Sequence, residues 1–202
     1  FSIIKSWLVR VAILFSALNF RGYHRYMNLQ KKRIGVIGAG PAGLAVVKEL
    51  LELGHEVTCF EKQSTVGGVY RKSYDFLKLT TSSLNIAYGS MMPDNVCKPV
   101  IWSGSEYIAY LQDYALKFDL HRHIYFTTEV VSLEKRNATW ELNASSVKPR
   151  NHTNISNHII ESTLALSHLS LPAEGKTFEF DHIAVCSGQS GVPKLPVLYW
   201  TR

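Results

Sequence analysis

Cysteine is scarce in this 202-residue sequence, and no cysteine pairing motif is present. Cys59, Cys97 and Cys186 are odd in number and far apart, without a C-x-x-C or C-x-x-x-x-C spacing. Neither a disulfide framework nor a redox dithiol is therefore supported. Cys59 and Cys186 lie in apolar, strand-like runs, where free cysteine usually serves as buried packing material. We expect a reducing compartment, and the predicted location is the cytoplasm.

Charge is also limited and only weakly biased. Charged residues make up 19% of the chain and apolar residues 46%, a balance typical of a globular protein rather than a disordered one. The formal charge is +6, and the dense basic cluster Lys31-Lys32-Arg33 directly precedes an apolar strand. We therefore expect small anionic ligands such as dinucleotides and no nucleic-acid partner. His121-x-His123 has no third ligand nearby, so no metal site is predicted.

No apolar run is long enough to predict a firm membrane anchor. The run at residues 6–20 is interrupted by Arg10 and is shorter than the roughly 20 residues that a spanning helix needs. We interpret residues 1–26 as upstream sequence or a weak interfacial helix, and we place residues 1–30 outside the fold as a tail. This apolar segment leaves membrane association or secretion open. We interpret the four N-x-S/T sequons as chance occurrences; they lie at Asn137, Asn143, Asn151 and Asn154.

The pattern from residue 31 to residue 61 predicts a strand, a helix and a second strand. Ile34 to Ile37 is a short apolar run that ends at Gly38, as buried parallel strands often do. Apolar residues then recur at helical spacing from Pro41 to Leu53, and Gly54 supplies a C-terminal stop. The run HEVTCFE returns as a second strand. These elements form a βαβ unit, so we expect the α/β class with a Rossmann-like fold.

A further helix and more strands are predicted downstream. Residues 71–95 lack a sustained period and are interpreted as an ordered connection. Residues 103–120 have one apolar face and predict a helix with Ser105 as its N-cap. The runs HIYFTTEVVSLEK and TWEL alternate like strands, and TFEFDHIAVCSG predicts one more apolar strand. The expected result is a mainly parallel sheet, with strands near 33–38, 56–60 and 182–186, and a small β layer between about 123 and 180.

The glycine-rich turn Gly38-x-Gly40-x-x-Gly43 lies between the first strand and the helix, the context of a dinucleotide-binding turn. Gly38 permits the tight turn, Gly40 lets the backbone approach a pyrophosphate, and Gly43 lets helix and strand pack closely. The helix N-terminus presents unpaired N–H groups to that anion. Glu61 ends the second strand, where a carboxylate would accept hydrogen bonds from ribose hydroxyls and repel a 2′-phosphate. The first nucleotide is therefore not NADP.

The longer pattern GxGxxGLxxxxxLxxxGxxVxxxExxxxxGG resembles the fingerprint of FAD-binding two-dinucleotide-domain flavoproteins and ends at Gly67-Gly68. Within that group the chain is similar to the flavin-containing monooxygenase family. GGVY resembles the family's GGxW element, and LTTSSLNIAYGSMMPD resembles its T-N-x-S…S…P segment. FDHIAVCSGQSGVPKLP is similar to its D-x-V-V-x-C-T-G…P-x-x-P segment. The resemblance covers residues 31–196.

This resemblance implies FAD as the bound cofactor and NADPH as the reductant. It also implies transfer of one oxygen atom from O₂ to a soft nucleophile in a small molecule, as N- or S-oxygenation. The chain's own catalytic residues stay unidentified. The cofactor-binding positions that the motifs and the resemblance together indicate are Gly38, Ala39, Gly40, Pro41, Ala42, Gly43, Glu61, Lys62, Gly68, Val69, Tyr70, Thr81, Ser82, Ser83, Val130, Ser187 and Gly188.

Two departures from the family pattern bear on activity. Thr81 stands where the family has an asparagine near the reactive edge of the flavin. The family's FxGxxxHxxxY signature and its second GxGxxG, for NADPH, do not occur in these 202 residues. We therefore expect residues 31–202 to be an incomplete FAD-binding domain without the NADPH domain. By themselves these residues should bind FAD weakly and oxidise little NADPH.

Two alternative functions stay open on the sequence. The first is an FAD-dependent oxidase or reductase of another branch. Amine oxidases usually follow the glycine pair with arginine, whereas Val69-Tyr70 intervene before Arg71, and disulfide reductases need the missing C-x-x-x-x-C. The second alternative is a truncated FAD-binding protein without turnover.

Overall fold

The computed structural model describes residues 30–94, 97–147, 169–172 and 174–188. The chain divides into two compact units, Phe1–Lys31 and Lys32–Arg202, and every element below belongs to the second. The tail predicted up to residue 30, apart from that last residue, lies outside the described residues, as do the sequons at Asn151 and Asn154. In the described part of the chain, no helix has both the length and the apolar character needed to cross a membrane.

The elements alternate between strands and helices in the first half and are mostly strands in the second. The strands are β1 (Arg33–Ile37), β2 (Glu56–Phe60), β3 (Ile124–Tyr125), β4 (Thr128–Arg136), β5 (Thr139–Ser146), β6 (Lys176–Phe180) and β7 (His182–Val185). The α-helices are α1 (Pro41–Glu52), α2 (Ser83–Ile86) and α3 (Gly104–Lys117), with 3₁₀ turns at Gly68–Lys72 and Leu120–His123.

A parallel sheet in the order β3-β2-β1-β7 forms the centre of the unit. β1 pairs with β2 from Arg33↔Glu56 to Ile37↔Phe60, and it pairs with β7 on its other side. α1 makes the crossover from β1 to β2, and its buried residues Leu44 and Val47 pack in the core on the sheet. The predicted α/β class, the βαβ unit and its strand positions are confirmed.

A second, antiparallel sheet in the order β4-β5-β6 forms the predicted small β layer. Leu142 and Ala144 of β5 and Phe180 of β6 are buried together with Phe60 of β2, so this sheet shares a core with the end of β2. Asn143, one of the predicted sequons, has its side chain within the layer. Its amide donates to the Ser132 hydroxyl at 2.9 Å and its carbonyl accepts from Thr177 at 2.5 Å.

The run TFEFDHIAVCSG is not one strand, contrary to the sequence prediction. β6 and β7 belong to different sheets and are separated by Asp181. The Asp181 backbone N–H donates to the Arg33 carbonyl at 2.8 Å, and its carboxylate accepts from the Arg33 N–H at 2.7 Å. These two bonds turn the chain from one sheet into the other, which alternation of apolar residues cannot reveal.

Helix α3 begins two residues earlier than its predicted cap implied. Ser103 is the N-cap, and Ser105 lies inside the first turn. The Glu106 N–H donates to the Ser103 hydroxyl at 3.2 Å, while the Glu106 carboxylate accepts from the Ser103 N–H at 2.7 Å. This reciprocal capping box satisfies two backbone donors, which a cap at Ser105 would not achieve.

The main core lies between the parallel sheet, α1 and α3. Fully buried members include Val36, Leu111 and Ile124. Cys59 is buried there, as predicted. Cys186 is only partly buried, because it follows β7 at the sheet edge beside the glycine turn.

Candidate functional site

The glycine-rich turn lies at the carboxyl end of β1, where the sheet topology reverses. β1 leads through α1 to β2 on one side, while β7 lies on its other side. Such a switch point leaves a crevice outside the carboxyl ends of the strands, which is the usual ligand position in open α/β sheets. The residues that follow β7, Ser187 and Gly188, are exposed at the same edge.

Gly38 and Gly43 are glycines because the protein itself leaves no room for a side chain. Gly38 has φ +101°, and a Cβ there would lie 2.6 Å from the carbonyl oxygen of Cys186. A Cβ at Gly43 would overlap the carbonyl oxygen of Gly38. Gly38 therefore permits the tight turn after β1, and Gly43 permits α1 to pack closely on that turn.

Gly40 differs from its two neighbours in the motif. Its φ of −75° and ψ of −173° are open to any residue. A Cβ at Gly40 would meet Gly68 Cα at 3.5 Å, an ordinary van der Waals contact. The protein's own packing therefore does not require glycine at position 40. A ligand that approaches the backbone closely would require it.

The second glycine pair packs directly on the first turn. The Gly67 N–H donates to the Ala39 carbonyl at 3.2 Å. Gly68 has φ +59°, and a Cβ there would lie 3.0 Å from Gly40 Cα. Sequence reasoning placed this pair beside a cofactor. The structure adds that it forms one wall of the glycine turn.

Glu61 joins the end of β2 to the same turn. Its side chain is 5% exposed, and its two carboxylate oxygens accept from the Ala39 N–H at 2.7 Å and the Gln63 N–H at 2.8 Å. Burial raises the pKa of Glu61 above its ordinary value, while the two N–H bonds and the charges of Lys62 and Arg71 act in the opposite direction. Each carboxylate oxygen has a further lone pair, so the group retains capacity for ligand hydroxyls.

The Thr/Ser segment contributes one structural residue and several exposed ones. Ser83 is buried, its N–H donates to the Val100 carbonyl at 2.7 Å, and its hydroxyl accepts from the Val100 N–H at 3.3 Å. Ser82 is the N-cap of α2, and Thr81 is exposed. Ser83 therefore has a local structural role, and its role at the cofactor stays a prediction.

Val130 lies in β4, whose first residue is bonded to the chain just after β2. The Thr128 N–H donates to the Glu61 carbonyl at 2.9 Å, which ties β4 to the acidic strand end. The pairing with β5 shifts register between Val130 and Ser132, and Val131 in between is 68% exposed. Val130 packs against the cluster that contains Phe60, the residue before Glu61. Lys62 and Val69 are exposed.

Tyr88 contacts the glycine turn and was not identified from the sequence. Its hydroxyl donates to the Pro41 carbonyl at 2.6 Å, and its N–H donates to the Tyr110 hydroxyl at 2.7 Å. Burial raises the pKa of Tyr88 well above its ordinary value, so the hydroxyl stays protonated as a donor. Tyr110 and Tyr114 pack against its ring, and Tyr107 belongs to the same core. A tyrosine within a Ser/Thr-rich connection carries no sequence signal for this contact.

Comparison with known proteins identifies the family to which this arrangement belongs. A model described as flavin-binding monooxygenase-like matches residues 31–152, which include the glycine turn, Glu61 and the Thr/Ser segment. The chain belongs to the flavin-binding monooxygenase-like family. The resemblance inferred from the motifs is thereby confirmed, and enzymes of this family use FAD and NADPH.

Curated relatives match the chain over part of their length. A 4-hydroxybenzoate brominase (decarboxylating) of Pseudoalteromonas luteoviolacea (strain 2ta16) is 38% identical over 83% of this chain and 28% of its own length. Flavin-containing monooxygenase 1 of Rattus norvegicus is 36% identical over 52% of this chain and 21% of its own. Dimethylaniline monooxygenase [N-oxide-forming] 4 of Oryctolagus cuniculus is 28% identical over 82% and 28%. The chain thus spans less than a third of these relatives.

Solved structures share the fold at low sequence identity. The closed crystal structure of cyclohexanone monooxygenase superposes with a TM-score of 0.62 at 22% identity, covering 85% of this chain and 28% of that one. S-allyl-L-cysteine S-oxygenase from Allium sativum superposes with a TM-score of 0.61 at 19% identity, covering 80% and 37%. These superpositions confirm the Rossmann-like flavoprotein fold of the described part of the chain.

Proposed function

We propose that this chain is the FAD-binding part of a flavin-dependent, NADPH-using monooxygenase that oxygenates a nitrogen or sulfur atom of a small molecule. The observation that carries FAD binding is Gly40, whose free side leaves the backbone open to a pyrophosphate although the protein would accommodate a methyl group there. Family membership supports the monooxygenase class. The cytoplasmic location stays a prediction. A small-molecule substrate and O₂ stay predictions for the partners.

The residues around Gly40 fit the adenosine diphosphate half of FAD. The first N–H groups of α1 have no partner within the helix and, with the helix dipole, favour an anion at this end. Glu61 retains lone pairs for ribose hydroxyls beside the same turn. Val130 is proposed at the adenine, while Val69, Tyr70, Thr81 and Ser82 are proposed along the flavin.

Bound FAD supplies the chemistry of the family, in which electrons from NADPH allow one oxygen atom of O₂ to pass to the substrate. The described residues bind and orient this cofactor. Gly67 and Gly68 hold the wall of the glycine turn, and Tyr88 anchors the Pro41 carbonyl at the start of α1. Together these contacts fix the turn before the cofactor binds, so little ordering is required on binding.

Oxygenation at nitrogen or sulfur is supported by the N-oxide-forming and S-oxygenase names of two similar proteins. A second candidate is halogenation of a phenolic acid. It is favoured by the brominase that matches 83% of this chain. The two functions require different substrates and are separable by experiment.

The function is tested in two steps. Purified 202-residue protein should retain FAD on gel filtration in the presence of excess FAD, measured by flavin absorbance. The natural gene product that carries this sequence should then oxidise NADPH faster with an amine or sulfide, giving a product heavier by one oxygen atom in mass spectrometry. A brominated product from 4-hydroxybenzoate and bromide would select the second candidate. Absence of any flavin binding would contradict both.

Glu61→Gln is expected to weaken FAD binding at neutral pH by at least about tenfold. The amide offers one acceptor oxygen where the carboxylate offers two, so a backbone N–H at Ala39 or Gln63 and a ribose hydroxyl lose their acceptor. FAD affinity is measured by titration of flavin fluorescence. Glu179→Gln changes an exposed residue of β6 and is the matched control. This variant should bind FAD like the unchanged protein. Equal affinity of the Glu61 variant would contradict the ribose role.

The FAD affinity of the unchanged protein should also fall at mildly acidic pH. Ribose hydroxyls donate to the ionised carboxylate, and burial raises the pKa of Glu61. Affinity should therefore be full above this raised pKa and fall as pH drops through it. The stability of the cofactor-free fold depends on pH with the opposite sign. The raised pKa of Glu61 favours the folded state at low pH, and this contribution is lost as pH rises through that pKa. The Glu61→Gln variant should lack both dependences.

A further inference from the structure

Arg71 is a buried cation with an unused hydrogen-bond donor. It lies in the 3₁₀ turn Gly68–Lys72, is 8% exposed, and its Nη1 atom has no hydrogen-bond partner among the described residues. By contrast, the exposed guanidinium groups of Arg122 and Arg136 form ion pairs at 3.0 and 3.1 Å. A buried guanidinium N–H without an acceptor is costly, so it requires an acceptor from outside the described residues.

The position of Arg71 places this donor beside the glycine turn. A Cβ at Gly67 would lie 2.8 Å from Arg71 Cγ and 3.2 Å from Cδ, so the side-chain stem passes directly over Gly67. The Gly67 N–H donates to Ala39, whose own N–H donates to Glu61. The side-chain stem of Arg71 therefore packs on Gly67, whose neighbour Gly68 contacts Gly40.

Glu61 influences Arg71 without satisfying it. Burial lowers the pKa of Arg71, and the nearby negative charge of Glu61 raises it. Both Glu61 oxygens already accept backbone N–H groups, and the Nη1 atom of Arg71 has no hydrogen-bond partner among the described residues. The negative charge of Glu61 favours the charged guanidinium, but the carboxylate does not accept a hydrogen bond from its Nη1 atom.

We propose that Arg71 binds an anionic group of the dinucleotide, donating from Nη1 to a phosphate oxygen of FAD. This inference rests on the proposed function. A guanidinium is suited to phosphate because it is planar, always charged and rich in donors. Gly40 and the start of α1 receive the pyrophosphate from one side, and Arg71, reaching over Gly67, receives it from the side of the second glycine pair.

The test compares ligands that do and do not carry phosphate. FAD, ADP and adenosine are titrated by calorimetry into the unchanged protein and into Arg71→Met and Arg71→Lys. Methionine preserves much of the apolar stem, and lysine preserves the charge without the fork of donors. We expect Arg71→Met to weaken FAD and ADP by about tenfold to a hundredfold and adenosine by less than about twofold. Arg71→Lys should recover part of the loss.

Thermal unfolding of the FAD-free proteins separates ligand binding from packing. Because the unpaired buried charge is unfavourable, Arg71→Met should unfold at the same temperature as the unchanged protein or higher. Arg122→Met, which removes an exposed cation paired with Asp119, is the control and should bind all three ligands normally. A lower unfolding temperature with equal losses for ADP and adenosine would overturn the proposal, as would unchanged FAD and ADP affinity. An unchanged protein that binds neither FAD nor ADP would refute the proposed function as well.

Discussion

Gly40→Val is expected to abolish FAD binding, and Gly40→Ala is expected to weaken it by at least about a hundredfold. The added carbon atoms would occupy the space in which a pyrophosphate meets the backbone. The fold should tolerate alanine, because its Cβ would meet Gly68 Cα at 3.5 Å in an unstrained backbone conformation. Alanine at this N-cap position should cost the fold about 1 kcal/mol or less. Flavin absorbance after gel filtration measures binding, and thermal unfolding of the FAD-free protein measures stability.

Gly89→Ala is the matched control for this substitution. A Cβ at Gly89 would meet no atom within 4 Å, so neither FAD binding nor stability should change. Full FAD retention by Gly40→Val would refute the assignment of the pyrophosphate to this turn. Loss of FAD together with loss of the fold in Gly40→Ala would show that position 40 serves packing instead.

Gly43→Ala is expected to disrupt the fold rather than only the cofactor site. Its Cβ would overlap the Gly38 carbonyl oxygen and lie 2.9 Å from the Gly38 carbonyl carbon. The turn cannot move aside easily, because the Gly38 N–H donates to the Phe60 carbonyl at 2.8 Å. Overpacking of this kind costs about 1 to 3 kcal/mol or more, a large part of a total stability of roughly 5 to 15 kcal/mol. Urea unfolding of the FAD-free protein measures the change.

Gly54→Ala is the comparison that separates steric overlap from backbone strain. Gly54 has φ +82°, but a Cβ there would meet no atom within 4 Å. Its substitution should therefore cost only the conformational strain, about 1 to 2 kcal/mol. If Gly43→Ala destabilises the protein no more than Gly54→Ala, the close packing of α1 on the glycine turn is not what requires glycine at position 43.

The helix cap of α3 shows a local signal that was available and misread. Ser103 followed by Glu106 has the S-x-x-E spacing of a capping box, whereas Ser105 has no acidic residue three positions later. The error at TFEFDHIAVCSG has another origin. Asp181 follows β6 and is bonded to Arg33 at the start of β1, which lies far away in sequence. No local pattern encodes that bond.

The sequence by itself determined the βαβ unit, the dinucleotide turn and the family. These features depend on neighbouring residues: a strand, three spaced glycines, an amphipathic helix and an acidic residue at a fixed distance. The motif predicted a separate role for each glycine, but only the structure gives the contacts that surround them. Gly43 serves internal packing, and Gly40 has room for a methyl group, because the first meets Gly38 and the second meets only Gly68 at ordinary contact distance.

Only the tertiary structure decided which distant side chains support the turn. Tyr88 reaches Pro41 across 47 positions of sequence, and Glu61 reaches Ala39 across 22. Arg71 was not among the cofactor-binding positions inferred from the sequence, yet its burial over Gly67 gives it an unused donor next to the site. Hydrogen-bond geometry and burial arise from packing between elements that are remote in the chain. Composition and spacing therefore predicted where the cofactor site begins, while packing decided which residues complete it.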